Sequence, residues 1–257
     1  MSPIPVLCYH SVSDERIHGT SRWSVSPGDF DEQMALLAQQ GRTSMTVSRY
    51  AELLRRAAPM PPRPVLITFD DGWADLATTA LPVLRRYGLS GTAYVITDRL
   101  GARQPPGAGR PLDWDQLAEL SAAGIEIGSH SHTHAPLDCL GPTRLADETT
   151  ASRQVLEDRL RQPVASFAYP FGYHSVRVRQ AVHDAGYTSA CAVKNALSHP
   201  GDDVFALARV LIERDTGVAA VESLLAGRGW PLAWRGERMR TRCWRVYRRA
   251  RHSLGRR

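Results

Sequence analysis

The chain has 257 residues, of which 43% are apolar and 23% charged, enough for one large α/β domain or two small ones. It contains no run of about 18 consecutive apolar residues, so the sequence offers no transmembrane helix. The net charge is +6, but residues 228–257 hold eleven arginines and one acid, Glu237, so a mildly acidic domain precedes a strongly basic tail.

The amino terminus and the cysteines predict a cytoplasmic protein. MSPIPVLCYHSV lacks the basic stretch, apolar stretch and small-residue cleavage site of a secretory signal. The four cysteines form no CxxC pair and are expected to be reduced thiols: Cys8, Cys139, Cys191 and Cys243.

Strand-like and helix-like segments alternate along most of the chain. In chain order, the predicted strands are IPVLCYH, TSMTV, PVLITF, GTAYVIT, IEIGS, VASFAYP, YTSACAV and VFALARVLI. The predicted helices between and after them are FDEQMALLAQQ, SRYAELLRRA, ATTALPVLRRY, WDQLAELSAA, TRLADETTASRQVLEDRL, VRVRQAVHDA and GVAAVESLLAG. More than six such units favour a barrel of parallel strands, with an open doubly wound sheet as the alternative. The glycine-rich motifs of nucleotide-binding folds are absent.

Two adjacent carboxylates follow the strand PVLITF. In Asp70-Asp71-Gly72 the glycine allows a turn, so that both side chains can face one cavity. Like charges this close repel each other, unless a cation binds one carboxylate and leaves the other to accept a proton. The alternative is an ordinary solvated turn.

Three histidines follow the strand IEIGS. In a helical turn His130 and His134 would lie on one face and could bind one metal ion, whereas in an extended segment His132 would join them. Together with Asp71, His130 and His134 supply three protein ligands. This leaves one coordination position open, as in catalytic zinc sites.

Two more strand ends carry candidate site residues. In FAYPFGYHS, a turn surrounded by Tyr169, Pro170, Phe171 and Tyr173 could form a pocket whose backbone N–H groups bind an oxyanion; an ordinary aromatic-rich turn is the alternative. His10 ends the first strand and is a candidate general acid, although a single histidine at such a position is more often structural.

The motifs TFDDG, HSHTH and FAYPFG, in this order, resemble those of the polysaccharide deacetylase family, the NodB-homology domain of carbohydrate esterase family 4. The resemblance covers about residues 3–215. It implies a single α/β domain folded as a distorted (β/α)7 barrel, a divalent metal that is usually zinc, and hydrolysis of the acetamide of an N-acetylated sugar. Nickel, cobalt and manganese are alternatives for such a ligand set.

The same resemblance implies a role for each matching residue. Asp70 is the general base. Asp71, His130 and His134 are the metal ligands. The turn at Pro170-Phe171 supplies a backbone N–H to the oxyanion.

The sequence departs from the family pattern at two places. The family usually has an arginine two residues before the proline of its third motif, where this chain has Ala168. We expect Arg209, at a strand-end position in VFALARVLI, to orient the base instead. The late Leu-x-His motif, source of the family's general acid, is also absent. LCYH resembles a displaced copy of it, as in a circularly rearranged branch, so His10 is the first candidate for the acid and His199 the second.

The sequence divides into a catalytic domain, 1–227, and an arginine-rich tail, 228–257. In the tail, apolar residues recur at helical spacing from Met239 onward, which predicts an amphipathic helix suited to an anionic membrane surface. A solvated tail, a helix packed on the barrel and RNA binding are the alternatives, although no nucleic-acid motif is present. We therefore expect a cytoplasmic enzyme at the inner membrane surface.

The expected substrate is an acetylated carbohydrate, either a poly- or oligosaccharide or its lipid-linked precursor. Two other functions fit the same residues: a carbohydrate O-acetyl esterase and a catalytically silent carbohydrate-binding protein. No oligomeric state is predicted.

Overall fold

A curled sheet of parallel strands is the framework of the molecule. The computed structural model describes residues 3–15, 21–103, 109–233 and 243–249. The strands in these ranges are β1 (Val6–Tyr9), β2 (Ser11–Val12), β3 (Ser24–Val25), β4 (Thr43–Ser44), β5 (Pro64–Phe69), β6 (Thr92–Val95), β7 (Glu126–Ser129), β8 (Ser166–Ala168), β9 (Ser189–Cys191) and β10 (Val210–Leu211).

The main sheet has the order β10-β1-β5-β6-β7-β8-β9, with β4 paired to β5 outside this path. All of these pairs are parallel. A parallel bridge between Cys191 at the end of β9 and Leu207, shortly before β10, brings the two ends of the path together. The predicted α/β distorted barrel, formed by a single domain, is confirmed.

Helices connect most of the strands and cover the sheet. They are α1 (Pro27–Gln39), α2 (Val47–Arg55), α3 (Leu81–Arg86), α4 (Trp114–Ala122), α5 (Pro142–Leu160), α6 (Val176–Asp184) and α7 (Val218–Leu225). A further short helix spans 243–249 and is called the tail helix below. Within the described ranges, none of the helices has the length and apolar character needed to cross a bilayer.

Two predicted elements differ from the structure for local reasons. The predicted helix ATTALPVLRRY begins as a π-helical turn, Leu76–Ala80, before α3. Pro82, which has no N–H to donate, is thereby placed in the first turn of α3, where none is needed. The predicted strand VFALARVLI is regular only in β10, because this segment changes partner from β9 at Leu207 to β1 at Val210.

The register of the sheet brings the predicted site residues to one edge. Tyr9 of β1 pairs with Phe69 of β5, so His10 and Asp70, which follow them, leave the sheet side by side. His130 follows Ser129 of β7 at the same carboxyl edge. In parallel α/β folds this edge is where sites are built.

Candidate active site

Asp70 is held by a buried arginine. The guanidinium of Arg209 donates from Nη1 to Oδ1 of Asp70 at 2.6 Å and from Nη2 to Oδ2 at 2.7 Å. Arg209 also donates to the hydroxyl of Thr68 and to the carbonyl of Ala192. Its side chain is 0% exposed, and that of Asp70 4%. Two parallel hydrogen bonds between charged partners fix the plane of the carboxylate.

The position of Arg209 corrects one detail of the sequence analysis. Arg209 precedes β10 instead of standing at a strand's carboxyl end, and its long side chain crosses the barrel interior to reach Asp70. Burial is the largest single influence on the pKa of Asp70 and would raise it, but the charge and hydrogen bonds of Arg209, together with the neighbouring His130 and His10, outweigh burial and hold that pKa below its ordinary value. Asp70 is therefore ionised at neutral pH and able to accept a proton.

Asp71, His130 and His134 present one ligand atom each to a common point. Nε2 of His134 lies 3.5 Å and Nε2 of His130 3.7 Å from Oδ1 of Asp71. Two atoms bound to one tetrahedral ion at about 2.1 Å are roughly 3.4 Å apart, so this spacing fits a zinc-sized ion.

Hydrogen bonds and burial keep both imidazoles in the form that binds metal. Nδ1 of His130 lies 2.8 Å from the carbonyl oxygen of Ala168, which can only accept, so Nδ1 carries the proton and Nε2 is free to ligate. Burial lowers the pKa of His134 to about 4, so its ring is neutral at neutral pH.

A second group, formed by Cys8, His10 and Asp70, also has its ligand atoms within 4.8 Å of one another. This group does not fit a metal ion. Asp70 is already bound by the cation of Arg209, and burial raises the pKa of the Cys8 thiol well above its usual value. The thiol stays protonated and points to Oδ2 of Asp70 at 3.6 Å.

The ligand histidines meet through a bend and not through the helical turn considered above. Ser131 and His134 have left-handed backbones, with φ of 66° and 64°. The ring of His132 points elsewhere, with Nδ1 2.8 Å from the hydroxyl of Thr97. His132 is thus separated from the ligand pair.

A buried glutamate that the sequence analysis missed holds this bend. Oε2 of Glu148 accepts from the backbone N–H of His132 at 3.0 Å and of Thr133 at 2.9 Å. The hydroxyl of Thr133 donates to the other carboxylate oxygen. Glu148 lies in the second turn of α5, and nothing in that segment of the sequence indicates a role at the site.

The turn after β8 offers one backbone donor. Pro170 has no N–H, and the N–H groups of Gly172 and Tyr173 donate to the carbonyls of Tyr169 and Pro170. The N–H of Phe171 is therefore the donor that this turn can direct at a ligand. Phe171 has a φ of 60°, and its ring lies 4.6 Å from that of His134.

Two residues predicted to form the pocket lie in the core instead. Tyr169 is fully buried, and its hydroxyl donates to the carbonyl of Phe205 at 2.8 Å. Pro170 is buried as well. The side chains of Phe171, 55% exposed, and Tyr173, partly exposed, do face outward. Only these two can contribute side-chain surface to a pocket.

The two candidate acids are at opposite edges of the sheet. His10 is close to Asp70 and stacks on Trp23 with ring centroids 5.4 Å apart. Burial lowers its pKa, although Asp71 and Asp70 oppose the shift. His199 contacts Asp202 and the carbonyl of Ala233. It follows Ser198, which bridges to Ile4 ahead of β1, at the amino edge.

Cys8 is a further residue that the sequence analysis missed, although its position in the first strand indicates that it lies near the site. Residues i and i+2 of a strand share a face, so Cys8 on β1 is on the same side as His10 and had to lie near Asp70.

The basic tail is described only in part, since 234–242 and 250–257 lie outside the described residues. Residues 231–233 still pair with the barrel, through Leu197 N–H to the Pro231 carbonyl and Ala233 N–H to the Leu197 carbonyl. The boundary at 227 stays a prediction.

Comparison with known proteins places this geometry in context. The profile of a family described as polysaccharide deacetylase matches residues 57–190. YxkH of Bacillus subtilis (strain 168), itself assigned to the polysaccharide deacetylases, is 28% identical over 209 residues, which are 81% of this chain and 71% of YxkH. The poly-β-1,6-N-acetyl-D-glucosamine N-deacetylase of Staphylococcus aureus (strain MRSA252) is 23% identical over 202 residues, 75% of this chain and 69% of that protein.

Solved structures share the fold. The deacetylase PplD of Streptococcus pyogenes, solved in complex with acetate, has a TM-score of 0.78 at 22% identity and covers 87% of this chain and 98% of its own. IcaB from Ammonifex degensii has a TM-score of 0.76 at 25% identity and covers 88% of this chain and 97% of its own. These likenesses confirm the barrel.

Proposed function

The chain belongs to the polysaccharide deacetylase family, and from this we propose that it is a metal-dependent hydrolase that removes acetyl groups from N-acetylated sugars, giving acetate and a free amine. The observation that carries the proposal is the ligand set of Asp71, His130 and His134 beside the ionised Asp70. The substrate is a poly- or oligosaccharide or its lipid-linked precursor. The name of the staphylococcal relative makes a β-1,6-linked N-acetylglucosamine oligomer the first substrate to test.

A divalent ion held by Asp71, His130 and His134, most readily zinc, would polarise the acetyl carbonyl and activate a water molecule. The protein's own groups surround this point. Asp70 accepts the proton of the attacking water, since Oδ1 keeps a lone pair beyond the one that Arg209 uses, whereas Oδ2 also receives the Cys8 thiol. The N–H of Phe171 donates to the developing oxyanion.

His10 supplies a proton to the departing amine. Because burial keeps its imidazole neutral at neutral pH, it has to gain that proton during the reaction cycle. Asp70 and His10 lie beside each other, so the proton that Asp70 takes from water has a short path to the acid.

The first test is acetate release by the purified protein, combined with metal analysis. We expect about one divalent ion per chain, acetate release from the N-acetylated oligomer, loss of activity with a chelator and recovery when zinc is restored. An O-acetylated xylan run in parallel separates a de-N-acetylase from an O-acetyl esterase. Carbohydrate binding without acetate release from either substrate would contradict the proposal and favour the silent binding protein.

Replacing His134 with Ala is expected to weaken metal binding at least about 100-fold, because removing a direct ligand costs more than the 10–100-fold seen for its supporting contacts. His132→Ala is the matched control, since that ring in the same bend pairs with Thr97. The measurement is bound metal after dialysis against a weak chelator. If His134→Ala kept its metal and His132→Ala lost it, His132 and not His134 would be the ligand.

Replacing His10 with Gln is expected to lower kcat for the acetamide by about 10²–10⁴-fold, the usual contribution of a general acid. Hydrolysis of 4-nitrophenyl acetate should change little, because its leaving group departs without a proton. His199→Gln is the control and should leave both reactions intact. Equal losses on both substrates would show that His10 does not act as the acid.

A further inference from the structure

The tail helix, 243–249, is anchored on the rim of the candidate site by an arginine. Arg248 donates from Nη2 to Oδ2 of Asp138 at 2.7 Å and from Nη1 to Oδ1 at 3.2 Å. Asp138 is 1% exposed and lies four residues after the proposed ligand His134. Arg249 also donates, from Nε to the carbonyl of Asp138 at 2.6 Å. These contacts attach the tail to the turn that follows the histidine bend.

Aromatic rings connect the proposed metal site to the tail helix. The ring of Phe171 lies 4.6 Å from His134 and 6.2 Å from Tyr173. The Arg248 guanidinium lies 3.5 Å above the Tyr173 ring. Nε1 of Trp244 donates to the hydroxyl of Tyr173 at 3.1 Å.

The row continues on the tail helix, where the rings of Trp244 and Tyr247 are stacked with centroids 5.2 Å apart. Phe171, Trp244 and Tyr247 are 55%, 48% and 52% exposed. Single exposed apolar side chains are common, whereas a contiguous group of exposed aromatic rings indicates a binding surface. Here they are exposed in a series that starts at the site and is fixed at Tyr173.

We propose that the tail helix forms the outer wall of the substrate groove, and that Trp244 and Tyr247 bind the face of a sugar ring flanking the one that is deacetylated. The inference rests on the proposed function, since it takes the site's substrate to be a carbohydrate chain. Aromatic rings suit this partner because the apolar C–H face of a sugar packs flat on them. Trp244 and Tyr247 share the docked side of the helix with Arg248, at the spacing i, i+3, i+4.

The amphipathic membrane helix predicted from the sequence uses a different face. Val246 is 66% exposed and lies on the side of the tail helix away from Trp244 and Arg248. A membrane-binding helix would need Val246, whereas the sugar subsite would not. Membrane binding and sugar binding can therefore be separated by single substitutions within one turn of the tail helix.

The experiment measures acetate release from a short and a long oligomer of the same N-acetylated sugar, using the full-length metal-loaded protein. We expect Trp244→Ala to raise KM for the long oligomer roughly three- to ten-fold, with kcat unchanged and the short oligomer unaffected. Trp244→Phe keeps a ring and should lose less. Arg248→Ala, which detaches the helix, should match Trp244→Ala. Val246→Ser is the control and should behave as the wild type.

Unchanged KM values in Trp244→Ala and Arg248→Ala would overturn the subsite while leaving deacetylation intact. Failure of the wild type to release acetate would instead overturn the proposed function. In that case, the affinity of the wild type and of Trp244→Ala for the long oligomer, measured by titration, still tests the subsite as a binding site. Co-sedimentation with anionic phospholipid vesicles completes the test. If Val246→Ser no longer binds the vesicles, and Trp244→Ala has the same KM as the wild type for the long oligomer, the tail helix binds membranes and not sugar.

Discussion

Replacing Asp70 with Asn is expected to lower kcat for acetate release by about a thousand-fold or more while the metal ion stays bound. The change removes the proton acceptor, whose general-base contribution is typically 10²–10⁴-fold. It leaves Asp71, His130 and His134 in place. The amide oxygen of Asn can still accept one hydrogen bond from Arg209, so the side chain should keep its position.

The matched control is Asp75→Asn. Asp75 is a partly buried aspartate that follows the same strand, but its oxygens accept from the Ser11 hydroxyl and the Val12 N–H, away from the ligand set. The kcat of Asp75→Asn should stay within a few-fold of wild type, and its free energy of unfolding should fall by about 1 kcal/mol because two hydrogen bonds are weakened. An Asp70→Asn protein with full metal content and near-normal kcat would remove Asp70 from the role of base.

The sequence located the site because its chemistry-bearing residues directly follow buried strands. Parallel strands end at one edge, so Asp70 after β5 and His130 after β7 had to be near each other. The family resemblance added roles to these positions. The structure brings them together with the spacing that one ion needs, and the roles themselves stay predictions.

The shape of the loops was beyond reach of sequence patterns. Asp71, Ser131, His134 and Phe171 all have left-handed backbones although none is a glycine. For a residue with a Cβ atom, the left-handed conformation costs about 1 kcal/mol or more relative to the right-handed one, so it persists only where tertiary contacts impose it. The contacts at the histidine bend come from Glu148, far along the chain.

Side-chain direction explains two other differences. Tyr169 follows β8 and points into the core, where Phe205 receives its hydroxyl, so an aromatic residue in the right motif does not line the pocket. The tail helix attaches through the polar groups of Arg248, Arg249 and the Trp244 indole, because the buried Asp138 needs a cation. Sequence patterns alone could identify neither Phe205 as the partner of Tyr169 nor Asp138 as the partner of Arg248.

Replacing Arg209 with Met is expected to reduce the free energy of unfolding by about 3–5 kcal/mol, the usual effect of leaving one member of a buried ion pair alone. Asp70 would remain in the barrel with neither a counter-ion nor bidentate hydrogen bonds. The measurement is urea unfolding at neutral pH. Arg179→Met is the control, because its pair with Asp203 is longer, at 3.7 Å, and partly exposed, so it should cost less than about 1 kcal/mol.

The pH dependence distinguishes this loss of charge pairing from a simple packing defect. In the wild type, burial raises the pKa of Asp70, but Arg209, with help from His130 and His10, holds it below its ordinary value, so the ionised pair stabilises the fold above about pH 4 and the contribution is lost as the pH falls. In Arg209→Met, burial is opposed only by His130 and His10 and raises that pKa, so ionisation of Asp70 destabilises the fold as the pH rises. The gap in unfolding free energy between wild type and variant should therefore shrink on acidification, and adding Asp70→Asn to the variant should recover part of it at neutral pH. A gap that is constant across pH, with no recovery in the double variant, would mean that Arg209 acts by filling space and not by balancing the charge of the proposed base.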